Sequence, residues 1–438
     1  MSSDAIWQPI HEDATVVDLH AHPSLKSLYF QRSLTNWAIL PGWLHRMINP
    51  ISVRTGFQQL EAGDIDVLLA TAVPLERRIL HDITLFRIIP LTILKYLPFS
   101  FAQEAWNNIH ETSAFGLTNL LLDDMEDGIN DWNATTPGRQ AELAKTRVDL
   151  QTILAKPPPT PIAIVHAVEG GHCLEGPTAF QHWETPWSAL SAANQDAITD
   201  EMIGNLDELR ARGVASIVLA HFYPNRLAAP TFPFMEHLAL NHVTDIGFEQ
   251  LWEDIELTGG LTELGRDVVD KMIDLGMFID VTHATPQARR EIYARVDAKA
   301  PGRPCVMASH VGAYKINPSP YNLEDWEITW IADHGGTVGV IFMTYWLMPH
   351  ETKFGLNFIS RTIEHFAEVG GEDVVAIGTD FDGAEPPDDL DDASKLSRLT
   401  ERLVAELTSS SARRYTDAQI KKFLGGNALA MLLAGWGT

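Results

Sequence analysis

The sequence predicts a (β/α)8 barrel of the TIM type carrying two insertions, and three observations predict it. Eight apolar runs of strand length, rich in Val and Ile, alternate with segments of helical period, which is the pattern of a parallel sheet crossed by helices. The runs are apolar almost throughout instead of alternating, as strands buried on both faces must be. At 438 residues the chain is long enough to enclose a core of barrel size.

The eight runs are TVVDLHAH from Thr15, IDVLLATAVP from Ile65, PIAIVHAVEG from Pro161, VASIVLAHF from Val214, MFIDVTH from Met277, PCVMASH from Pro304, GTVGVIFM from Gly336 and VVAIGTDFDG from Val374. Residues 1–438 are read as a single barrel domain, with insertions at about 26–63 and 75–159, after the first and second strands. PPPTP, from Pro157 to Pro161, is a rigid entry into the third run. Helix starts are legible between the later runs. Thr285 can cap a helix that has Pro286 in its first position, Asn322 can cap the helix beginning NLEDW, and Thr416 with Gln419 forms a capping box near the C-terminus.

Composition narrows the function classes. With 58 acidic against 32 basic residues the chain carries a formal charge of −26, which repels polyanions and excludes nucleic acid and anionic membranes as natural partners. Its two cysteines, Cys173 and Cys305, lie far apart and outside CxxC spacing, so neither a disulfide framework nor a thiolate metal site is indicated. The first twenty residues lack the basic start and apolar core of a secretory signal, and a cytoplasmic location is expected. The most apolar window, Leu85 to Phe101, contains Arg87, Pro90, Lys95 and Pro98 and is read as an amphipathic insertion and not a bilayer span.

In a barrel of this kind the active site lies at the C-terminal ends of the strands. The runs end there in a uniform set of polar residues: His20 and His22 on the first, Glu169 on the third, His221 on the fourth, His283 on the fifth, His310 on the sixth, and Asp380 and Asp382 on the eighth. One such histidine is ordinarily a structural residue, but six strands converging on one mouth make a site. The spacing His-x-His puts two imidazoles on the same face of a strand. Imidazole and carboxylate donors without thiolate suit zinc. Four histidines and one carboxylate exceed the needs of one tetrahedral ion, so two divalent ions bridged by Glu169 and a hydroxide are expected. Asp380 then stands where a proton shuttle belongs, and His221 where an oxyanion donor belongs.

These residues lie in DLHAHP, VHAVEGGH, LAHFYPN, LTELGRDVVDKMIDLGMFIDVTH, ASHVGAY and AIGTDFDG, in order over nearly the whole chain. In them the sequence resembles the membrane dipeptidase (renal dipeptidase-like, peptidase M19) branch of the amidohydrolase superfamily. The resemblance implies a binuclear zinc centre that cleaves dipeptides, with His20, His22, Glu169, His283 and His310 as ligands. It further implies that His221 contacts the scissile carbonyl, that Asp380 moves the proton, and that the protein is a homodimer.

Two departures stand out. The family has His-x-Asp at the first strand, where this chain has His22, leaving the site more positive by about one charge. The family also places an arginine after the sixth-strand histidine to hold the substrate carboxylate, and here Tyr321 precedes Asn322 at that point. Tyr321 is therefore a candidate substrate contact, with Arg226 or Lys315 as the compensating cation. The leading expectation is a dipeptidase. The alternatives are an amidohydrolase of N-acyl amino acids or other non-dipeptide amides, and a metal-binding homologue without turnover.

Overall fold

The computed structural model describes residues 6–35, 53–76, 107–136, 138–231, 259–343, 347, 355–407 and 411–437. Among them nine strands form one sheet: β1 Val16–Ala21, β2 Ile65–Ala72, β3 Ala141–Ala144, β4 Ile162–Glu169, β5 Ser216–Val218, β6 Phe278–Asp280, β7 Val306–Val311, β8 Val338–Val340 and β9 Val375–Ile377. Every pairing is parallel. Eight of the strands close into a barrel, because β2 pairs with both β1 and β4, and β9 returns to β1 through Asp18 and Ile377. These eight are the eight apolar runs.

β3 is the addition. It pairs with Ile162–Val165 at the start of β4, while β2 holds the opposite edge of β4 and β5 joins further along at Ala167–Glu169. Its sequence, Ala-Glu-Leu-Ala, has no β-branched residue, and it lies within the second insertion. Pairing with β4 makes it a strand; propensity does not.

Successive residues of the strands feed two apolar clusters, which is why the runs are not amphipathic. Val17, Leu19, Val67, Leu69 and Val165 join Met431 and Leu432 of the C-terminal helix Asn427–Gly435, whereas Val16, Leu68 and Ile164 pack into the larger cluster with the surrounding helices. Both faces of the sheet are dry, so a polar residue inside a strand must be paired, as Asp18 is with the Thr379 amide and His166 with Glu126.

Thr285 caps the helix Pro286–Lys299 by accepting from the amide of Ala288, and Thr416 with Gln419 forms a reciprocal box at Asp417–Lys421. Asn322 does not cap its helix. The box is built two residues later by Glu324 with Glu327, because the Asn322 side chain is committed to the loop, accepting from the Gly312 amide and donating to the Asn317 carbonyl. The apolar window Leu85–Phe101 falls outside the described residues, and no described helix is long and apolar enough to cross a membrane.

The second insertion contributes the helix Ala114–Thr135, whose N-cap Ser113 accepts from the Gly116 amide. Burial of Asp124 on this helix, reinforced by Asp127 and only partly offset by a hydrogen bond from Ser27, raises its pKa to about 6. A carboxyl pKa raised on folding lowers stability as pH rises from about 4 to 6, and the full cost persists above that window. Asp124→Asn is therefore expected to melt at a higher temperature than wild type at pH 8, with the difference vanishing below pH ~4; a pH series of thermal melts checks it.

Candidate metal centre

β1 delivers His20 from within the strand. His22 lies one residue past the end of β1, at the N-cap of the helix Pro23–Phe30, and its amide bonds the carbonyl of Phe381. The two Nε2 atoms are nevertheless 3.1 Å apart, so the pair faces one point through a turn and not through strand periodicity alone. Glu169 ends β4 and sits buried in their midst. Its Oε2 is 3.2 Å from His22 Nε2, 3.5 Å from His20 Nε2 and 3.7 Å from His221 Nε2, while its Oε1 is 3.0 Å from His283 Nε2 and 3.4 Å from His310 Nε2. Asp380 Oδ1 lies 3.1 Å from His22 Nε2. One carboxylate thus faces five imidazoles, three on Oε2 and two on Oε1.

The donor chemistry fits a cation. His22 Nδ1 is 3.0 Å from the carbonyl of Thr71. A carbonyl only accepts, so Nδ1 carries the hydrogen and the lone pair of Nε2 points at carboxylate oxygens of Glu169 and Asp380. Lone pairs facing one another at such distances need a positive charge between or upon them. In the protein alone, burial opposes charge on His22, but Asp380 and Glu169 outweigh it and hold its pKa at about 10. Burial and the neighbouring His20 push His310 well below the ordinary histidine range, keeping it neutral as a ligand must be. Three overlapping donor groups have atoms within 4.8 Å of one another: His20, His22 and Glu169; His20, His310 and Asp380; and Glu169, His221 and His283.

The orientation of these rings depends on residues that sequence reading passed over. The Ser309 hydroxyl oxygen lies 3.0 Å from His20 Nδ1 and 2.9 Å from His310 Nδ1, and with two lone pairs it can accept from both, leaving each Nε2 lone pair free to face a cation. Asp18 accepts from the His20 and Thr379 amides, stitching β1 to the β9 loop. Asp280 accepts from the Thr282 and Ser309 amides. Glu76 lies 3.2 Å from His221 Nδ1 and accepts from the Tyr223 amide. Asp18, Asp280 and Ser309 each stand one to three residues before a predicted ligand, a signal that was available; Glu76, beyond β2, had none.

Tyr321 is buried, and its hydroxyl donates to the His310 carbonyl at 2.8 Å. Having given up its one hydrogen, the phenol has no donor left for a substrate carboxylate; it supports the His310 loop. Arg226 is not a solvated surface residue, since its side chain is 11% exposed. Its guanidinium donates to the His182 carbonyl, sits over the Trp187 ring and lies 4.0 Å from Glu175. Lys315 is exposed.

Asp382 is a different kind of residue from Asp380. It accepts from the amides of Arg54 and Thr55 and pairs with Lys26 Nζ at 2.9 Å, all buried, tying both ends of the first insertion to the β9 loop. His283, Asp380 and Asp382 hold φ of 64°, 55° and 71°, a left-handed conformation uncommon for such residues, and all three lie at the barrel mouth. Gly383 follows because a Cβ there would come within 2.3 Å of Asp380 Oδ1 and 2.4 Å of the His22 ring.

A family model, membrane dipeptidase (peptidase family M19), matches residues 179–434. This chain is a member of peptidase family M19. Among solved structures, the M19 chain is similar to the probable dipeptidase PvdM from Pseudomonas aeruginosa, at 17% identity and a TM-score of 0.66 over 98% of this chain and 97% of that one. It is similar also to a metallopeptidase from Rhodobacter sphaeroides bound to a phosphinate mimic of L-Ala-D-Ala, at 17% identity and a TM-score of 0.62 over 97% and 99% of the two chains. These likenesses establish the shared barrel. A curated relative, an uncharacterised protein in the pqqA 5′ region of Klebsiella pneumoniae, is 34% identical over 180 residues, and the match spans 40% of this M19 chain and 62% of that relative.

Removing one partner of a buried ion pair costs roughly 3–5 kcal/mol. Asp382→Ala, which removes the carboxylate shared by Lys26 and the Arg54 and Thr55 amides, is expected to lower the unfolding free energy by about that amount in urea titration; a loss under ~1 kcal/mol would show that the loop does not depend on this carboxylate.

Proposed function

We propose that the protein is a metal-dependent hydrolase of dipeptides or similar small amides, working with two divalent ions, of which zinc suits the donors best. The observation that carries this reading is Glu169, whose two oxygens face separate pairs of histidine Nε2 atoms. His20 and His22 would hold one ion and His283 and His310 the other, with Glu169 available to both. When bound, such ions supply Lewis acidity and a water-derived nucleophile at neutral pH.

The chain's own residues do the rest. Asp380, 3.1 Å from His22, is held by its backbone against the centre and takes the proton released on attack, then returns it to the leaving amine. His221, with Glu76 against Nδ1, can hold protons on both nitrogens and offers Nε2–H to the oxygen of the scissile carbonyl. A specific observation favours non-dipeptide amides as a second reading: Tyr321 has no hydrogen to give a carboxylate, and Arg226 is engaged with His182, Trp187 and Glu175.

Elemental analysis of the active protein is expected to find two divalent ions per chain, with chelation abolishing turnover and lowering the melting temperature, since ions bound only to the folded state stabilise it. One ion at full activity would overturn the binuclear assignment. Asp380→Asn is expected to keep both ions while kcat falls about a hundredfold to ten-thousandfold against a panel of dipeptides, their C-terminal amides and N-acyl amino acids. Absence of turnover by the metal-loaded wild type on the whole panel would leave a metal-binding homologue.

A further inference from the structure

Arg289 lies on the helix Pro286–Lys299, which follows β6 and His283, and its side chain is 1% exposed. Its guanidinium is divided in two. Nε and Nη2 donate to the two oxygens of Glu327 at 2.6 and 3.0 Å, a bidentate pair closed off from water. Nη1 donates to the Ala284 carbonyl at 2.9 Å and to the Pro320 carbonyl at 3.0 Å. Ala284 directly follows His283, and Pro320 directly precedes Tyr321. One nitrogen therefore joins the loop after β6 to the loop after β7.

Both loops bear on the same two imidazoles. Tyr321 donates its hydroxyl to the His310 carbonyl and stands edge-on to the His283 ring, with centroids 5.1 Å apart. His283 has a φ of 64°, and the backbone just beyond it is held from two sides. The Thr231 amide donates to the His283 carbonyl at 2.6 Å, and the Thr231 hydroxyl, at 3.3 Å, shares the Ala284 carbonyl with Arg289. A left-handed histidine persists where such contacts over-determine it. The Nε2 atoms of His283 and His310 are 3.2 Å apart and face the same oxygen of Glu169. Arg289 makes no hydrogen bond to β1 or to the turn that carries His22.

A buried ion pair contributes little net stability, because desolvating both charges offsets their attraction, and an apolar pair of similar volume often serves a core as well or better. An apolar pair cannot donate to two carbonyls at once. We propose that Arg289 is a positioning residue for one of the two ions: it sets the His283–His310 half of the centre, and the His20–His22 half is built without it. The inference rests on the binuclear reading above, so its test counts the ions as well as weighing them.

Zinc is titrated into the metal-free full chain in competition with a chromophoric chelator, which reads each affinity without turnover. In Arg289→Lys, which keeps the charge and loses the fork, one zinc is expected to weaken about tenfold to a hundredfold and the other to stay within about twofold. Arg289→Met combined with Glu327→Met replaces the whole pair by apolar side chains, so the metal-free melting temperature is expected to hold while the same zinc weakens. Two further backgrounds tell the sites apart. Added to His310→Ala, Arg289→Lys is expected to cost the remaining zinc nothing more; added to His22→Ala, it is expected to weaken the remaining zinc as it does in the wild type. Unchanged affinities in a folded variant, equal weakening of both sites, or weakening confined to the His20–His22 site would overturn the proposal. A wild-type chain that binds a single zinc would sink the binuclear reading. The role of Arg289 would then be upheld if that zinc weakens in the apolar double variant at an unchanged melting temperature, and overturned if it does not.

Discussion

The structure depends on one buried carboxylate. Glu169 ends β4 with almost no exposure and five imidazole nitrogens within 3.7 Å of its two oxygens. Removing a charge from water to such a place costs several kcal/mol even after relaxation, and it persists only when opposite charge and hydrogen bonds surround it. Burial pushes its pKa up, but His20 and His221 and the other rings overcome this and hold it well below the ordinary carboxylate range. Because the five rings come from four strands or their ends, β1, β5, β6 and β7, the carboxylate can be satisfied only if the barrel is closed. β4 is correspondingly well held, with β2 along one edge and β3 and β5 sharing the other.

Around that charge the protein fixes tautomers. The Thr71 carbonyl decides which nitrogen of His22 carries hydrogen, the Pro74 carbonyl does the same for His172, and the Ser309 hydroxyl links His20 to His310. At His20, His22 and His310 this turns the Nε2 lone pair toward Glu169, where a cation belongs. The left-handed backbone at His283, Asp380 and Asp382 serves the same end, since strained conformations persist where the surroundings over-determine them. Asp382 shows how: its carboxylate collects two loop amides and the Lys26 ammonium, so the segment that presents Asp380 cannot relax without exposing a buried pair.

Electrostatics also distinguish the two sides of the mouth. On the side of β7, Tyr321 supports His310 and offers no charge. On the side of β4 and β5, Glu76, His172 and Glu175 stand at a cavity walled by Phe180, Trp183 and Trp187. An acidic chain of this size has many surface carboxylates by composition alone.

The barrel and the ring of strand-end residues were legible in the sequence because both depend on local pattern. A strand covered on two faces must be apolar along its length, and a polar residue that ends such a run must lie at the mouth; His20, His22, Glu169, His221, His283, His310 and Asp380 follow from that rule alone. Partnership was not legible. Ala141–Ala144 becomes a strand because β4 has a free edge beside it, Glu324 caps a helix because Asn322 is drawn into the preceding loop, and Glu76 faces His221 from 145 positions away in the sequence. The same holds for Tyr321, which meets a backbone carbonyl where a substrate contact was expected. Hydrophobic periodicity is a property of one segment and survives in one dimension. A hydrogen bond between loops that meet only at the closed mouth of the barrel depends on the packing of every strand between them, and only the tertiary structure decides it.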